Sequence, residues 1–243
     1  MALLPFSRAK ARLAGRILFA LACAAPLFTG ARLSAEDGSV HGLVRILHRA
    51  EGESGSGDVV VWLTPVRGGR RVSAGPIARL TQKNKTFSPH VVAVTQGTEI
   101  EFPNHDLFFH NVSSIHQGKT FDLGLYESGA ARRVRFNQAG VTHIFCNIHP
   151  EMSAVVMVLG TRYFAVSDEE GRFQINRVPP GRYKLAVWYE QTAEAELQSQ
   201  ARELEVIPGS NEISLITLHS VDAPKEHPNK DGEGHPTDEM KSR

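Results

Sequence analysis

Hydrophobic positions along most of the chain come in short runs rich in Val, Ile, Phe, Tyr and Trp, separated by Gly, Pro, Asn and Asp. The runs are Val59 to Leu63, Val91 to Val94, Glu99 to Phe102, Arg133 to Phe136, Val141 to Phe145, Ala154 to Leu159 and Tyr183 to Trp188. Runs this short, bounded by turn formers, predict strands, and their recurrence predicts an all-β chain built of sandwiches. Thr192 to Leu204 has helix-friendly composition, with Ala, Glu, Gln and Leu, and is expected as a short helix or a long loop. Residues 67–85 are polar and basic and are expected as a connector. Residues 220–243, with almost nothing apolar after Val221, are expected as a disordered tail.

One apolar run differs from the others. Residues 1–35 carry Arg8, Lys10, Arg12, Arg16 and Arg32 but no acid, and an apolar stretch from Ile17 to Phe28 ends near Leu33-Ser34-Ala35. This pattern predicts a cleaved export signal. The stretch falls short of the roughly 20 apolar residues a spanning helix needs, and no later run approaches that length. The expected mature chain is soluble and periplasmic, with no membrane span. A retained anchor is the alternative.

Loss of that segment changes both charge and cysteine content. The intact chain has 27 basic and 26 acidic side chains; the remainder has 22 and 26, a formal charge of −4. No basic footprint for nucleic acid survives. Cys23 leaves with the signal, so about 208 residues hold a single thiol, Cys146. It has no internal disulfide partner, and an exposed lone thiol in an oxidising compartment is vulnerable unless buried or metal-bound.

Cys146 opens the run Cys146-Asn147-Ile148-His149-Pro150-Glu151-Met152, and His110 lies upstream. A thiolate, two imidazoles and a thioether are the donor set of a mononuclear electron-transfer copper. Sulfur suits copper(I), imidazole suits both oxidation states, and a thioether is a poor zinc ligand by comparison. Strand alternation sorts the other histidines. If Val141 to Cys146 is a strand, Thr142, Ile144 and Cys146 share one face and His143 lies on the other. Pro150 then forces a turn, which would bring His149 and Met152 to one point. His110 belongs to a separate run, so the metal is expected to staple two parts of the sandwich. His90, His105, His116 and His143 are expected as ordinary strand or loop residues. A nucleophilic Cys146 and His149 pair would need an oriented base and a third group. Gly118-Lys119-Thr120 lacks the earlier glycine of a phosphate loop, replaced by Ser113.

From about Phe87 to Gly160 the chain resembles the cupredoxins, the plastocyanin, azurin and amicyanin type of blue copper protein. The resemblance rests on Gly97-Thr98-Glu99-Ile100-Glu101-Phe102, Asn104-His105-Asp106, His110-Asn111-Val112, Phe136 with Gly140, and Cys146 to Met152. The Cys-x2-His-x2-Met spacing is similar to that of amicyanin. The resemblance implies one copper ion, cycling between copper(I) and copper(II), on His110, Cys146, His149 and Met152. It also implies that Asn111 holds the ligand loop near the sulfur, and that a redox partner docks near His149, over Ile148 and Pro150. Copper oxidases and nitrite reductases place His directly beside the Cys, whereas the neighbours here are Phe145 and Asn147. A one-electron carrier, not an enzyme, is expected.

Tyr163 to Phe173, with its Asp168 to Gly171 turn, and Val178-Pro179-Pro180-Gly181-Arg182-Tyr183 resemble the carboxypeptidase regulatory-like, transthyretin-like sandwich. The opening strands of such a module are missing just upstream of Tyr163. They occur instead at Gly42-Leu43-Val44 and Asp58 to Leu63. The expectation is therefore a discontinuous sandwich of residues 36–66 plus 162–219, with a Greek-key cupredoxin sandwich of residues 86–161 inserted into it. Two consecutive domains are the simpler alternative. The functional rivals are a copper-trafficking protein without electron transfer and a scaffolding or adhesion module with a vestigial metal site.

Overall fold

A computed structural model of the chain describes residues 36–47, 55–69, 72–115 and 118–221. The expected export signal with Cys23, His116, and all but the first two residues of the expected tail lie outside the described residues. The regular structure described is almost entirely β-strand. The chain opens with β1 (Gly38–Leu47) and β2 (Val60–Pro65). Ten strands follow: β3 (Ala78–Arg79), β4 (Thr81–Lys83), β5 (Thr86–Ser88), β6 (Val91–Thr95), β7 (Thr98–Pro103), β8 (His110–Ser114), β9 (Phe121–Tyr126), β10 (Ala131–Phe136), β11 (Gly140–Cys146) and β12 (His149–Leu159). The last group is β13 (Tyr163–Val166), β14 (Arg172–Val178), β15 (Gly181–Trp188), the helix α1 (Glu194–Ser199), β16 (Arg202–Val206), β17 (Gly209–Glu212) and β18 (Ile216–His219).

The first two strands pair with the last group. β1 runs antiparallel to β14 and parallel to β17 and then β18, while β2 lies between β13 and β15, with β16 at the edge beyond β15. Alternate residues of these sheets build one core, including Val40, Val44, Val61, Leu63, Ile175, Leu185, Ile216 and Leu218. The Asp168 to Gly171 turn is locked against β1. Gly171 has φ +81°, its N–H donates to Asp168 O at 2.8 Å, and a Cβ there would meet Val44 O at 2.0 Å. Only glycine fits that approach.

The intervening strands form a second pair of sheets, β10-β7-β3 and β6-β12-β11-β8-β9, with β4-β5 as a hairpin. Phe87, Ile100, Phe102, Tyr126, Phe136, Ile144 and Val156 fill the core between them. A third apolar cluster joins the two assemblies. In β12, Ala154, Val156 and Val158 enter the second core, while Val155, Met157 and Leu159 pack with Val60 of β2 and with Trp62, Phe164 and Trp188. β2 divides the same way: Val61 and Leu63 face the first core, and Val60 faces the junction. Period-two alternation sends apolar side chains to both faces, which explains why Ala154 to Leu159 reads as an unbroken hydrophobic run.

Several details differ from expectation. The basic stretch 67–85 carries strands at 78–83, because Leu80 is fully buried among the aromatic residues while Arg79 faces outward and pairs with Glu101. Thr192 to Leu204 is divided: α1 covers one turn and a half, and β16 takes over at Arg202, pairing with β15. Ser220 is buried and its N–H donates to Leu47 O at 3.1 Å, so regular packing reaches past the expected tail boundary.

Candidate metal centre

Three adjacent strands of one sheet, in the order β12-β11-β8, supply the candidate ligands. His110 is the first residue of β8, Cys146 the last of β11 and His149 the first of β12. β8 and β11 are separate strands and direct neighbours, paired at Phe145 and Ser113. The alternation expected of β11 is present: Thr142, Ile144 and Cys146 are buried, whereas Val141, His143 and Phe145 are half-buried.

Asn147 and Ile148 form the tip between β11 and β12, with Cys146 opposite His149. The next pair is Phe145 with Ser153. Pro150, Glu151 and Met152 are therefore extra residues on β12, an irregularity of the bulge kind that re-aims side chains. Pro150 and Glu151 point to solvent, and Met152 turns inward, 1% exposed, into the cluster that also contains Cys146.

At the centre, Cys146 Sγ lies 3.6 Å from His149 Nδ1 and 3.8 Å from His110 Nδ1. The three donor atoms fall within 4.8 Å of one another. His110 is fully buried, Cys146 is buried and His149 is half-buried. The imidazole rings meet edge to face with centroids 4.9 Å apart, and Phe108 caps both, 5.1 Å from His110 and 5.7 Å from His149. Burial, with nearby His110 and Lys85, lowers the pKa of His149 and favours its neutral, metal-competent form.

Side chains of β8 hold the loop. Asn111 Oδ1 accepts from Asn147 N–H at 3.4 Å, and its amide nitrogen donates to Asp122 at 2.6 Å. The Ser113 hydroxyl donates to Asn147 Oδ1 at 2.8 Å. Asn111 thus tethers the residue after Cys146. Ile148 and Pro150 are exposed beside His149, as is Phe108, which contacts its ring.

The structure adds a partner for His110 to which the resemblance gives no role. Asp106, buried, sits 2.7 Å from His110 Nε2 and accepts the backbone N–H groups of Asn84 at 2.6 Å and Lys85 at 2.9 Å. Burial opposes its charge, but these bonds from Lys85, His110 and Asn84 outweigh it and hold the carboxyl below its ordinary range. Its one local signal is an acid four residues before His110. Of the histidines expected to be bystanders, His105 is exposed. His90 and His143 reach across to Glu190 at 2.7 and 3.5 Å, away from Cys146.

Neither the family models nor the curated proteins compared contain a match to this chain. Solved structures with local likeness include a copper-containing nitrite reductase from Thermus scotoductus SA-01, at 24% identity and TM-score 0.34, over 40% of this chain and 26% of that one. A purple cupredoxin from Nitrosopumilus maritimus overlaps at 24% identity and TM-score 0.31, over 34% of this chain and 99% of that one. Amicyanin from Paracoccus versutus overlaps at 22% identity and TM-score 0.32, over 34% and 80%. The chain spans about a quarter of the reductase. Likeness of this size and score carries no conclusion about activity.

Proposed function

We propose that the protein is an exported, periplasmic, mononuclear copper protein of the cupredoxin type that carries single electrons. In this reading His110, Cys146, His149 and Met152 hold the ion, Asn111 fixes the ligand loop, and residues 86–161 are the copper domain. The observation that carries the proposal is the approach of two imidazole Nδ1 atoms to one buried thiol, at 3.6 and 3.8 Å. That donor chemistry fits copper: a soft thiolate, two imidazoles and a thioether buried in the same cluster. When bound, copper supplies a one-electron couple between its (I) and (II) states. The chain keeps water from the sulfur, fixes both rings, and presents half-buried His149 beside exposed Ile148, Pro150 and Phe108. A redox partner protein docks there.

Cys146 is flanked by Phe145 and Asn147, with no histidine beside it to relay electrons to a second ion, which favours a carrier over an enzyme. Residues 36–66 and 162–219 are read as a carboxypeptidase regulatory-like sandwich that the copper domain interrupts. The pairing of β2 with β13 and β15 supports this. Among the described residues no helix is long and apolar enough to cross a membrane.

The test is addition of copper(II) to purified protein, followed by visible and electron paramagnetic resonance spectroscopy. A strong sulfur-to-copper charge-transfer band is expected in the parent and absent from Cys146→Ser and His110→Ala. Copper uptake with no such band, or a band that survives Cys146→Ser, refutes the assignment.

A further inference from the structure

We infer that Asp106 is a positioning residue for His110, and that the β4-β5 turn exists in part to hold it. The Asn84-Lys85 turn joins Lys83 to Thr86, and both turn residues have φ +54°, the left-handed pair of a tight two-residue hairpin. Their consecutive N–H groups converge on the Asp106 carboxylate, Asn84 on Oδ1 and Lys85 on Oδ2. Asp106 itself is set by Asn104. The Asn104 side-chain oxygen accepts the Asp106 N–H at 3.0 Å, and its amide donates to Phe108 O at 2.8 Å and Tyr126 O at 3.2 Å. The backbone N–H of His105 adds a bond to Gln82 O at 2.8 Å.

A carboxylate held by two amide donors has only acceptor capacity to offer. The Nε2 atom of His110, 2.7 Å from Oδ2, therefore carries the ring proton, which leaves the lone pair on Nδ1, facing Cys146 at 3.8 Å. With His110 fully buried, water cannot serve this purpose. The opposite tautomer would place two acceptors against each other. Two devices thus fix the ring: a bond at Nε2 and an edge-to-face contact with Phe108.

The effect on metal rests on the copper reading above; the assignment of the tautomer does not. A carboxylate acceptor makes an imidazole a more basic ligand, which favours the more highly charged state of the ion. Asp106→Asn keeps the shape but turns an NH2 group toward donors, so one of the three bonds is lost. Glu99→Gln removes an equal charge from the same sandwich, where Glu99 pairs with exposed Arg135 and not with a histidine. Asp106→Asn is expected to raise the midpoint potential above that of both the parent and Glu99→Gln, and to weaken copper(II) binding by about 10- to 100-fold. In metal-free parent protein, nitrogen-15 imidazole spectra are expected to show a proton on His110 Nε2, hydrogen-bonded to Asp106. An Nδ1-protonated ring in the parent overturns the assignment, as does an Asp106→Asn variant that folds with potential, affinity and ring spectrum unchanged. Should that variant not fold, the parent spectrum still decides. If the parent takes up no copper, the copper reading fails while the ring spectrum still judges the role of Asp106.

Discussion

The two ends of β12 are built on opposite principles. From Val155 to Leu159 every side chain is buried, the register with β11 and β6 is regular, and cohesion comes from apolar contact on both faces. From His149 to Met152 the register breaks and half the side chains meet solvent, while the neighbouring Asn147 and His110 are held by directional bonds from Asn111, Ser113 and Asp106. Apolar packing tolerates small shifts of geometry, whereas a donor set must be held to a fraction of an ångström. The site therefore sits where hydrogen bonds take over from packing, at the edge of a rigid, doubly covered strand.

The contrast predicts separable effects. Met157→Ala, at the packed end, should cost about 2–5 kcal/mol of unfolding free energy, measured by urea denaturation of the metal-free protein. The copper spectrum of the folded fraction should stay unchanged. A change in both would mean the two ends are coupled. Asn111→Ala leaves the Asp122 carboxylate and the Asn147 amide short of a partner and should cost about 1–3 kcal/mol, accompanied by a changed charge-transfer band. Met152→Leu conserves volume in a buried position, so its stability cost should stay below about 1.5 kcal/mol. If Met152 is the thioether donor of the proposed copper site, the variant's potential should rise, since loss of that donor disfavours copper(II).

The smallest effect belongs to the junction between the two sandwiches, where His90 and His143 meet Glu190. Burial opposes ionisation of Glu190, but bonds from His143 and His90 prevail and bring its pKa down to about 2 from an ordinary 4.5. The bond to Glu190 raises His90 above its ordinary 6.5, against the opposing effect of burial. The depressed acid contributes stability above pH 4.5 that disappears as pH falls toward 2. The raised base contributes stability below pH 6.5 that disappears as pH climbs through its folded value. The cluster should therefore help most between about pH 4.5 and 6.5, by no more than about 1 kcal/mol for such partly exposed groups. Unfolding titrations of the parent against Glu190→Gln across that range would show the difference shrinking on both sides.

Much of the fold and the centre of the site are legible in the amino-acid sequence itself. Cys146 and His149 are three residues apart, and the seven predicted strand runs announce themselves through β-branched and aromatic residues. All seven fall within strands, give or take a residue at their ends. Asp106 is not legible as a partner of His110, because its role depends on a turn more than 20 residues upstream whose amides, not side chains, make the contact. β3 and β4 are hidden by their own outward faces. Arg79 and Lys83 give the segment a linker's polarity, and the inward signal is confined to Leu80 and a buried Gln82. That glutamine bonds Tyr126 through its amide while its own oxygen finds no partner among the described residues. The split of Thr192 to Leu204 between helix and strand is equally unreadable, since Arg202-Glu203-Leu204-Glu205-Val206 alternates at an edge where charge is tolerated.

Leu63 of β2 lies directly opposite Tyr163 of β13, so the polypeptide departs and returns on neighbouring strands. Adjacent strands are separated by about 5 Å, a gap that a hairpin of a few residues can bridge. A gene joining Pro65 to Arg162 through such a turn would therefore yield a miniature keeping every ladder of the two outer sheets. Its newly uncovered face of Val60, Trp62 and Phe164 would need polar replacements before that shortened molecule stayed dissolved.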